Sequence, residues 1–120
     1  MIVSLLPRYT APEVFARFRV RDFNCPPHIE RKGDVYSFGM ILYEILNLSP
    51  PWGDDSAEAI EGKVRGNERP PLPDARDSPV RVLLRDLIVK TWDQNPSVRP
   101  EFEEIVLFLR PLEDFYLADT

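Results

Sequence analysis

Apolar residues follow one another almost without interruption between positions 35 and 48, where ten of fourteen side chains are large and apolar or aromatic. A helix that is apolar on every face has to be buried on every side. Fourteen residues are too few to cross a bilayer. Asp34 is a favourable N-cap, so the pattern predicts a buried central helix over residues 34–48.

Three further segments have helical spacing and recognisable ends. Residues 56–65 begin at the N-cap Ser56 and are followed by Gly66 as the expected C′ residue, which predicts a mostly solvated helix. Ser78 and Pro79 open a helix that continues to about residue 92. The apolar stripe of residues 101–110 predicts the last helix.

The first part of the chain is expected to contain little regular structure. Prolines interrupt residues 1–12, and residues 13–16 are long enough for one helical turn. The alternating basic and apolar residues 17–21 predict an extended surface loop, since no partner strand is recognisable. No segment predicts a strand, so the fold class is all-α, with one domain.

Composition narrows the classes of partner. The chain has 120 residues, 43% of them hydrophobic, and its formal net charge is −5. An acidic surface makes nucleic acid and anionic lipid unfavourable partners. Cys25 and His28 are the only residues of their types, which excludes an intrachain disulfide and a structural zinc site. No segment is apolar over the length of a membrane span. A cytoplasmic location is expected, and the 13 prolines predict stiff, extended connections.

The sequence gives little support for the common arrangements of catalytic residues. His28 is the only candidate base for a nucleophile, and its position beside Pro27 is typical of a surface residue. Neighbouring acidic residues are better explained as first-turn charges that interact favourably with the helix dipole than as a catalytic acid–base pair. The basic residues Arg17, Arg19 and Arg21 fit a solvated face or a site for a phosphate or an acidic tail. We therefore predict no catalytic, cofactor-binding or metal-ligating residue in this chain.

Five blocks of rarer residues occur in a characteristic order. They are Tyr9-Thr-Ala-Pro-Glu-Val14, Lys32-Gly-Asp-Val-Tyr-Ser-Phe-Gly-Met40, Pro50-Pro-Trp-Gly53, Arg69-Pro-Pro-Leu-Pro73 and Trp92-Asp-Gln-Asn-Pro-Ser-Val-Arg-Pro-Glu-Phe102. Together they resemble the large lobe of a eukaryotic protein kinase, from the end of the activation segment to the C-terminus of the domain. The last block resembles tyrosine kinases and the tyrosine-kinase-like Ser/Thr group. The resemblance implies a partial kinase domain over residues 1–111 and a C-terminal tail over 112–120.

The resemblance also implies roles for individual residues. Glu13 is expected to form an ion pair with Arg99, and Asp34 to accept hydrogen bonds from the backbone of a catalytic loop. Arg8 and Tyr9 are expected in the loop that receives the substrate, with Trp92 packed beneath it. The resulting structural anchors are Ala11, Pro12, Glu13, Asp34, Gly39, Trp92 and Arg99.

The motifs that perform phosphoryl transfer in this family are absent from the chain. It has no glycine-rich loop, no His-Arg-Asp, no Asp-Phe-Gly before Ala11-Pro12-Glu13 and no lysine in a strand-like context. A complete kinase would transfer the γ-phosphate of Mg·ATP to a protein hydroxyl, whereas this chain alone is expected to be inactive and to bind no cofactor. The alternatives are a truncated pseudokinase that binds partner proteins, through its basic loop and helix 56–65, and a fragment without an independent role.

Several residues depart from the family pattern. Leu5-Leu6 stands where Ser/Thr kinases have Gly-Thr, and Tyr9 stands where tyrosine kinases have Trp. Both Ser/Thr and Tyr therefore stay open as the acceptor. Glu101 replaces the usual hydroxyl residue after Arg-Pro, which predicts the loss of a capping box. Residues 15–33 are longer and more basic than the usual connection.

Overall fold

The computed structural model describes residues 6–75 and 78–118, with side chains up to residue 114. Its six helices are α1 (Pro12–Val20), α2 (Pro27–Asn47), α3 (Ala57–Arg65), α4 (Pro79–Thr91), α5 (Phe102–Leu109) and α6 (Pro111–Ala118). Short 3₁₀ turns cover Pro7–Tyr9 and Pro96–Val98. The described residues contain no strand, so the all-α prediction is confirmed. Residues 1–5, including Leu5, and residues 76–77 lie outside the described ranges.

Prolines begin most of these elements. Four of the six helices and both 3₁₀ turns have proline as their first residue. At that position the missing N–H has no intrahelical partner to lose, and the fixed φ already matches the helix. The high proline content therefore defines helix starts as well as the extended connections that the composition predicts.

The caps predicted for α3 and α4 are present. Ser56 Oγ accepts a hydrogen bond from Ala59 N at 3.1 Å, and Ser78 Oγ accepts one from Arg81 N at 3.2 Å. Helix α3 ends at Arg65 as predicted, but the C′ position lies one residue later than predicted. Gly66 has φ −84°, and the left-handed residue is Asn67 with φ +66°.

Two predicted boundaries near the N-terminus are wrong. Helix α1 continues to Val20, so residues 17–20 are helical rather than extended. Helix α2 starts at Pro27, and Asp34 therefore lies inside the helix and does not cap it. The early part of α2 is stabilised by contacts with distant residues. A Cβ on Gly33 would lie 3.3 Å from Val14 Cγ2, and the ammonium group of Lys32 donates to the carbonyl of Arg99.

The C-terminal end also differs from the prediction. Glu101 still takes part in a capping interaction, because Glu104 Oε1 accepts a hydrogen bond from Glu101 N at 3.3 Å. Glu101 and Glu104 form a capping box, so the predicted loss of this box is wrong. Pro111 ends α5 and also opens α6, so most of the predicted tail 112–120 is helical. In the predicted stripe of α5, only Ile105 is buried.

The core lies where α2 crosses the other helices. The main cluster packs Tyr36, Met40 and Tyr43 of α2 against residues of α1, α3 and α4. A second, smaller cluster joins Val35 to Leu87 and Ile105. The closest helix contact is between α2 and α4 at Gly39, where a Cβ added to the glycine would lie 1.9 Å from Thr91 Oγ1.

The prediction that α2 is buried on every side is wrong for the described part of the chain. Ile41 is 49% exposed and Ile45 is 61% exposed, one turn apart on the same face. The rings of Phe38 and Phe102 are in edge contact at 5.9 Å, which joins this face to the exposed Val106 of α5. The radius of gyration is 15.1 Å, against about 13 Å for a compact domain of this size. The central helix is thus covered on one side only.

We expect the chain to bind a hydrophobic dye and to self-associate through this face, because contiguous apolar patches are uncommon on monomers. Changing both Ile41 and Ile45 to Lys should reduce dye fluorescence and shift the chain toward monomer in sedimentation velocity. Val98→Lys, at a 60% exposed position in a 3₁₀ turn, is the matched control and should change neither. A monomeric, cooperatively melting chain that does not bind the dye would contradict this expectation.

Candidate functional site

The 3₁₀ turn Pro7–Tyr9 is held on the end of α2 by both of its predicted substrate-loop residues. Arg8 Nη1 donates to the carbonyls of Pro51 and Gly53, each at 2.7 Å. The hydroxyl of Tyr9 donates to the carboxylate of Glu44. This hydrogen bond, followed by partial burial, raises the pKa of Tyr9. The turn is therefore fixed to α2 and to the α2–α3 connection by side chains.

The backbone of this turn is fixed as well. Ser37 Oγ donates to the carbonyl of Tyr9 at 2.7 Å, and Thr10 Oγ1 donates to the carbonyl of Leu6 at 2.9 Å. Thr10 and Ala11 are buried, and Pro12 next to them begins α1. The segment from Leu6 to Pro12 is therefore held against the core by side-chain and backbone contacts. We call this segment the ledge.

Trp92 lies in the core cluster against which Tyr9 packs. It is 8% exposed, and its ring lies 6.1 Å from the ring of Tyr43. Its carbonyl accepts a hydrogen bond from Arg69 Nε at 2.9 Å. These contacts place Trp92 in the support of the ledge, as the resemblance implies.

The predicted pair Glu13–Arg99 is present and has two parallel hydrogen bonds. Arg99 Nη1 lies 2.8 Å from Glu13 Oε2, and Arg99 Nη2 lies 2.9 Å from Glu13 Oε1. The side chain of Arg99 is fully buried and that of Glu13 is 16% exposed. The pair therefore fixes the start of α1 to the segment before α5, 86 residues along the chain.

Two further donors of Arg99 also have partners. Nε donates to the carbonyl of Asp93 at 2.8 Å, and Nη1 donates to the carbonyl of Lys32 at 2.9 Å. The guanidinium carbon lies 5.2 Å from the centre of the Tyr36 ring. A buried cation needs such a set of partners, since desolvation of an unpaired charge is very unfavourable. Arg99 thus joins α1, α2 and the 3₁₀ turn at residue 96.

Sequence reasoning missed a second arginine, Arg69, which is partly buried. Arg69 Nη2 donates to Gln94 Oε1 at 2.7 Å, and its guanidinium also lies 5.2 Å from the Tyr36 ring. Burial lowers the pKa of Arg69 and raises the pKa of Tyr36 to about 12. The available signal was the Arg-Pro-Pro sequence at 69–71, whose prolines hold the chain extended beside α4 and the turn that follows it.

Asp34 is placed differently from the other anchors. Its side chain is exposed on α2, and no hydrogen-bond donor contacts it among the residues that the structure describes. Partial burial of the carboxyl, with the nearby Glu30, raises the pKa of Asp34. A carboxylate in this environment has its acceptor positions available for backbone N–H groups from outside the described residues.

The residue types most often used in metal binding are not gathered into a cluster within the described ranges. His28 is exposed. Within residues 6–75 and 78–118 no cluster of three His, Cys, Asp or Glu side chains is arranged for a metal ion. In the same ranges no helix is long and apolar enough to cross a membrane.

Comparison with known proteins gives a consistent result. Residues 3–109 match the family model of protein tyrosine and serine/threonine kinases. The chain is 35% identical over 112 residues to the serine/threonine-protein kinase VIK of Arabidopsis thaliana, covering 93% of this chain and 23% of the relative. It is 41% identical over 103 residues to the dual specificity protein kinase shkC of Dictyostelium discoideum, covering 83% and 18%. Guanylate cyclase 32E of Drosophila melanogaster is 35% identical over 113 residues, with coverage of 86% and 9%. The chain thus spans less than a quarter of each of these relatives.

Proposed function

Because the chain belongs to the family of protein tyrosine and serine/threonine kinases, we propose that it is the substrate-positioning helical part of a domain that phosphorylates protein hydroxyl groups. The observation that carries the proposal is the ledge of residues 6–12, which is fixed to α2 through Arg8 and Tyr9 and to the core through Glu13–Arg99. Phosphoryl transfer depends on positioning and electrostatic stabilisation. In this proposal the ledge positions the substrate polypeptide.

In this proposal each part of the chain has a defined task. The ledge receives the residue that follows the acceptor hydroxyl, and Asp34 accepts hydrogen bonds from the catalytic loop of the same domain. Mg·ATP binds to segments that this chain does not contain. We place the C-terminal boundary of the domain near residue 111, assign the chain to the tyrosine-kinase-like Ser/Thr group, and infer a reducing, cytoplasmic location from the single, unpaired Cys25.

The test is phosphoryl transfer by the complete protein that carries this chain. With labelled ATP and a mixture of peptide substrates, that protein should label Ser, Thr or Tyr residues. Tyr9→Phe, which removes the hydrogen bond to Glu44, should raise KM for the peptide more than it lowers kcat, because the ledge positions substrate and performs no chemistry. Arg110→Ala, at an exposed position between α5 and α6, should leave both constants unchanged. Absence of transfer by the complete protein would contradict the proposal.

The chain by itself is expected not to bind Mg·ATP. The phosphate loop, the strand lysine and both metal-binding residues of the family are missing from its sequence. Calorimetric titration of the 120-residue chain with ATP and Mg²⁺ should give only the heat of dilution. A saturable site with micromolar affinity would show that this expectation is wrong.

A second function is favoured by one comparison. The relative guanylate cyclase 32E is not named as a kinase, although it covers 86% of this chain. The second candidate function is an interaction module without phosphoryl transfer, which agrees with the absence of the family's ATP-binding motifs from this chain. The two functions are separated by the sequence that precedes residue 1 in the complete protein. A strand lysine, a His-Arg-Asp motif and an Asp-Phe-Gly motif there would support the kinase, and substitutions at all three would support the interaction module.

A further inference from the structure

Positive charge is concentrated in one part of an acidic molecule. Residues 15–31 contain four arginines and two acids, which gives a net charge of +2. Since the formal net charge of the whole chain is −5, the remaining residues together carry a net charge of −7. Segregated charge of this kind selects and orients a partner of opposite sign. The basic part includes the end of α1 and its connection to α2.

Beside this basic segment lies a cavity of about 380 Å³ between α1 and α3. Its apolar lining comes from Pro7, Phe15, Phe18 and Ala57. Arg19 lines it too and bridges to Glu61 of α3, with Arg19 Nε 2.8 Å from Glu61 Oε2. A volume of this size is in the usual range of ligand pockets. This ion pair joins α1 and α3 beside the cavity.

An aromatic pair extends the apolar surface beyond the cavity. The rings of Phe18 and Phe23 are 5.3 Å apart in an edge-to-face arrangement. Phe18 is 37% exposed and Phe23 is 61% exposed. Aromatic side chains are enriched in the binding surfaces of proteins. The cavity and the pair form one surface, which we call the α1–α3 groove: Pro7, Phe15, Phe18, Phe23 and Ala57.

The arginines around the groove differ in availability. Arg17 donates to Cys25 Sγ at 2.6 Å, and Arg19 is engaged by Glu61. Arg21 follows α1 in a left-handed conformation with φ +54° and is exposed, with no acceptor for its guanidinium among the described residues. Arg21, two residues before Phe23, is therefore available to bind an anionic group of a partner.

We propose that the α1–α3 groove binds a segment of a partner protein in which an aromatic or large aliphatic side chain is flanked by acidic residues. The apolar side chain enters the cavity beside Phe18, and a carboxylate pairs with Arg21. An anionic membrane fits this surface less well, because the cavity is concave and a flat lipid surface would leave its apolar lining uncovered. Binding here requires no phosphoryl transfer, so it is independent of the proposed activity.

The binding test uses three fluorescein-labelled peptides and anisotropy titration of the full chain. One peptide has a central Phe flanked by Glu, the second has Ala in place of Phe, and the third has Lys in place of Glu. The first should bind most tightly, and salt should weaken its binding. Replacing the central Phe of the first peptide by a photo-crosslinking phenylalanine should label residues 15–23 or 57–61.

Variants of the chain locate the site. Phe23→Ala, at a mostly exposed position that leaves the fold intact, should weaken binding about tenfold, and Phe18→Ala by at least as much. Arg21→Glu should weaken it about fivefold and reduce its salt dependence. The matched controls are Val20→Ala, on the other side of α1, and Arg110→Glu, between α5 and α6. Neither should change the affinity.

Three results would overturn the proposal. They are equal binding of the acidic and basic peptides, equal loss in a control variant, and binding of phosphatidylserine vesicles without binding of any peptide. A failed kinase assay would leave these titrations unaffected, and a failed titration would leave the proposed kinase function standing.

Discussion

Replacing Arg99 with alanine is expected to lower the free energy of unfolding by about 3–5 kcal/mol, because the change leaves Glu13 charged and mostly buried without its partner. The change also removes the hydrogen bonds that Arg99 donates to the carbonyls of Asp93 and Lys32. Glu13→Ala leaves the fully buried Arg99 charged and without its anionic partner, so its loss should fall in the same range. Urea denaturation followed by circular dichroism measures both.

The double variant distinguishes a specific pair from two independent losses. When both side chains are removed no unpaired charge stays buried, so the combined loss should be smaller than the sum by roughly 0.5–3 kcal/mol. Arg99→Lys should recover little of the stability, since lysine lacks the planar fork that binds both carboxylate oxygens. Additive losses in this cycle would contradict the assigned pairing.

The chain contains a matched control for burial. Arg19 and Glu61 form a similar two-bond pair between α1 and α3, but the side chain of Arg19 is 62% exposed. Glu61 is itself only 13% exposed, but it keeps Arg65 as a partner when Arg19 is removed, and the cation that is lost is screened by water. Arg19→Ala should therefore destabilise the chain far less than Arg99→Ala. Equal losses would mean that burial does not determine the contribution of Arg99.

Gly39→Ala is expected to destabilise the chain by about 1–3 kcal/mol, the usual effect of overpacking a core. The added methyl would lie 1.9 Å from Thr91 Oγ1 and 2.8 Å from Thr91 Cβ. Thr91 has no room to move, because it is fully buried and its hydroxyl donates to the carbonyl of Ile88 at 2.8 Å. Helices α2 and α4 must separate to accommodate the methyl.

A second substitution tests this mechanism. Thr91→Ala removes the nearest atom but leaves Cβ in place, so it should restore part of the stability of Gly39→Ala. Gly62→Ala is the control in α3, where a Cβ would meet nothing within 4 Å. There the better helix propensity of alanine should stabilise the chain by up to about 1 kcal/mol. A Gly39→Ala chain as stable as the original in urea denaturation would show that the close helix contact is unimportant.

Local signals in the sequence were sufficient for the starts of α3 and α4. Ser56 and Ser78 each accept a hydrogen bond from a backbone N–H three residues later. Such a bond is formed within one turn, so the residues that determine it are adjacent in the sequence. Proline at the first helical residue is an equally local signal, and Pro79 begins α4 as the sequence predicted.

The contact between Glu13 and Arg99 was also predictable, but for a different reason. No periodicity brings together two residues 86 positions apart; the prediction came from the resemblance of the flanking motifs to a known family. The structure adds the contacts that the motifs do not reveal, above all those of Arg69 and Lys32 with distant carbonyl groups.

Tertiary structure decided the start of α2 and the conformation of residues 17–20. The sequence from Pro27 to Gly33 has no strong helical pattern. This segment is helical in the structure because Gly33 lies against Val14 and Lys32 donates to the carbonyl of Arg99. The alternating arginines of α1 have the period of a strand, yet Phe15 packs against the core and Arg19 pairs with Glu61. Short segments of mixed pattern are marginal in either conformation, so contacts from elsewhere in the chain select one.

The sequence likewise did not show which face of α2 is exposed. An all-apolar pattern shows that Ile41 and Ile45 belong in an interior, but it does not show which segment covers them. Caps and helix lengths are determined by residues within a few positions of one another. Burial is determined by whichever surfaces meet in space, and for this face of α2 those surfaces are absent from the described residues.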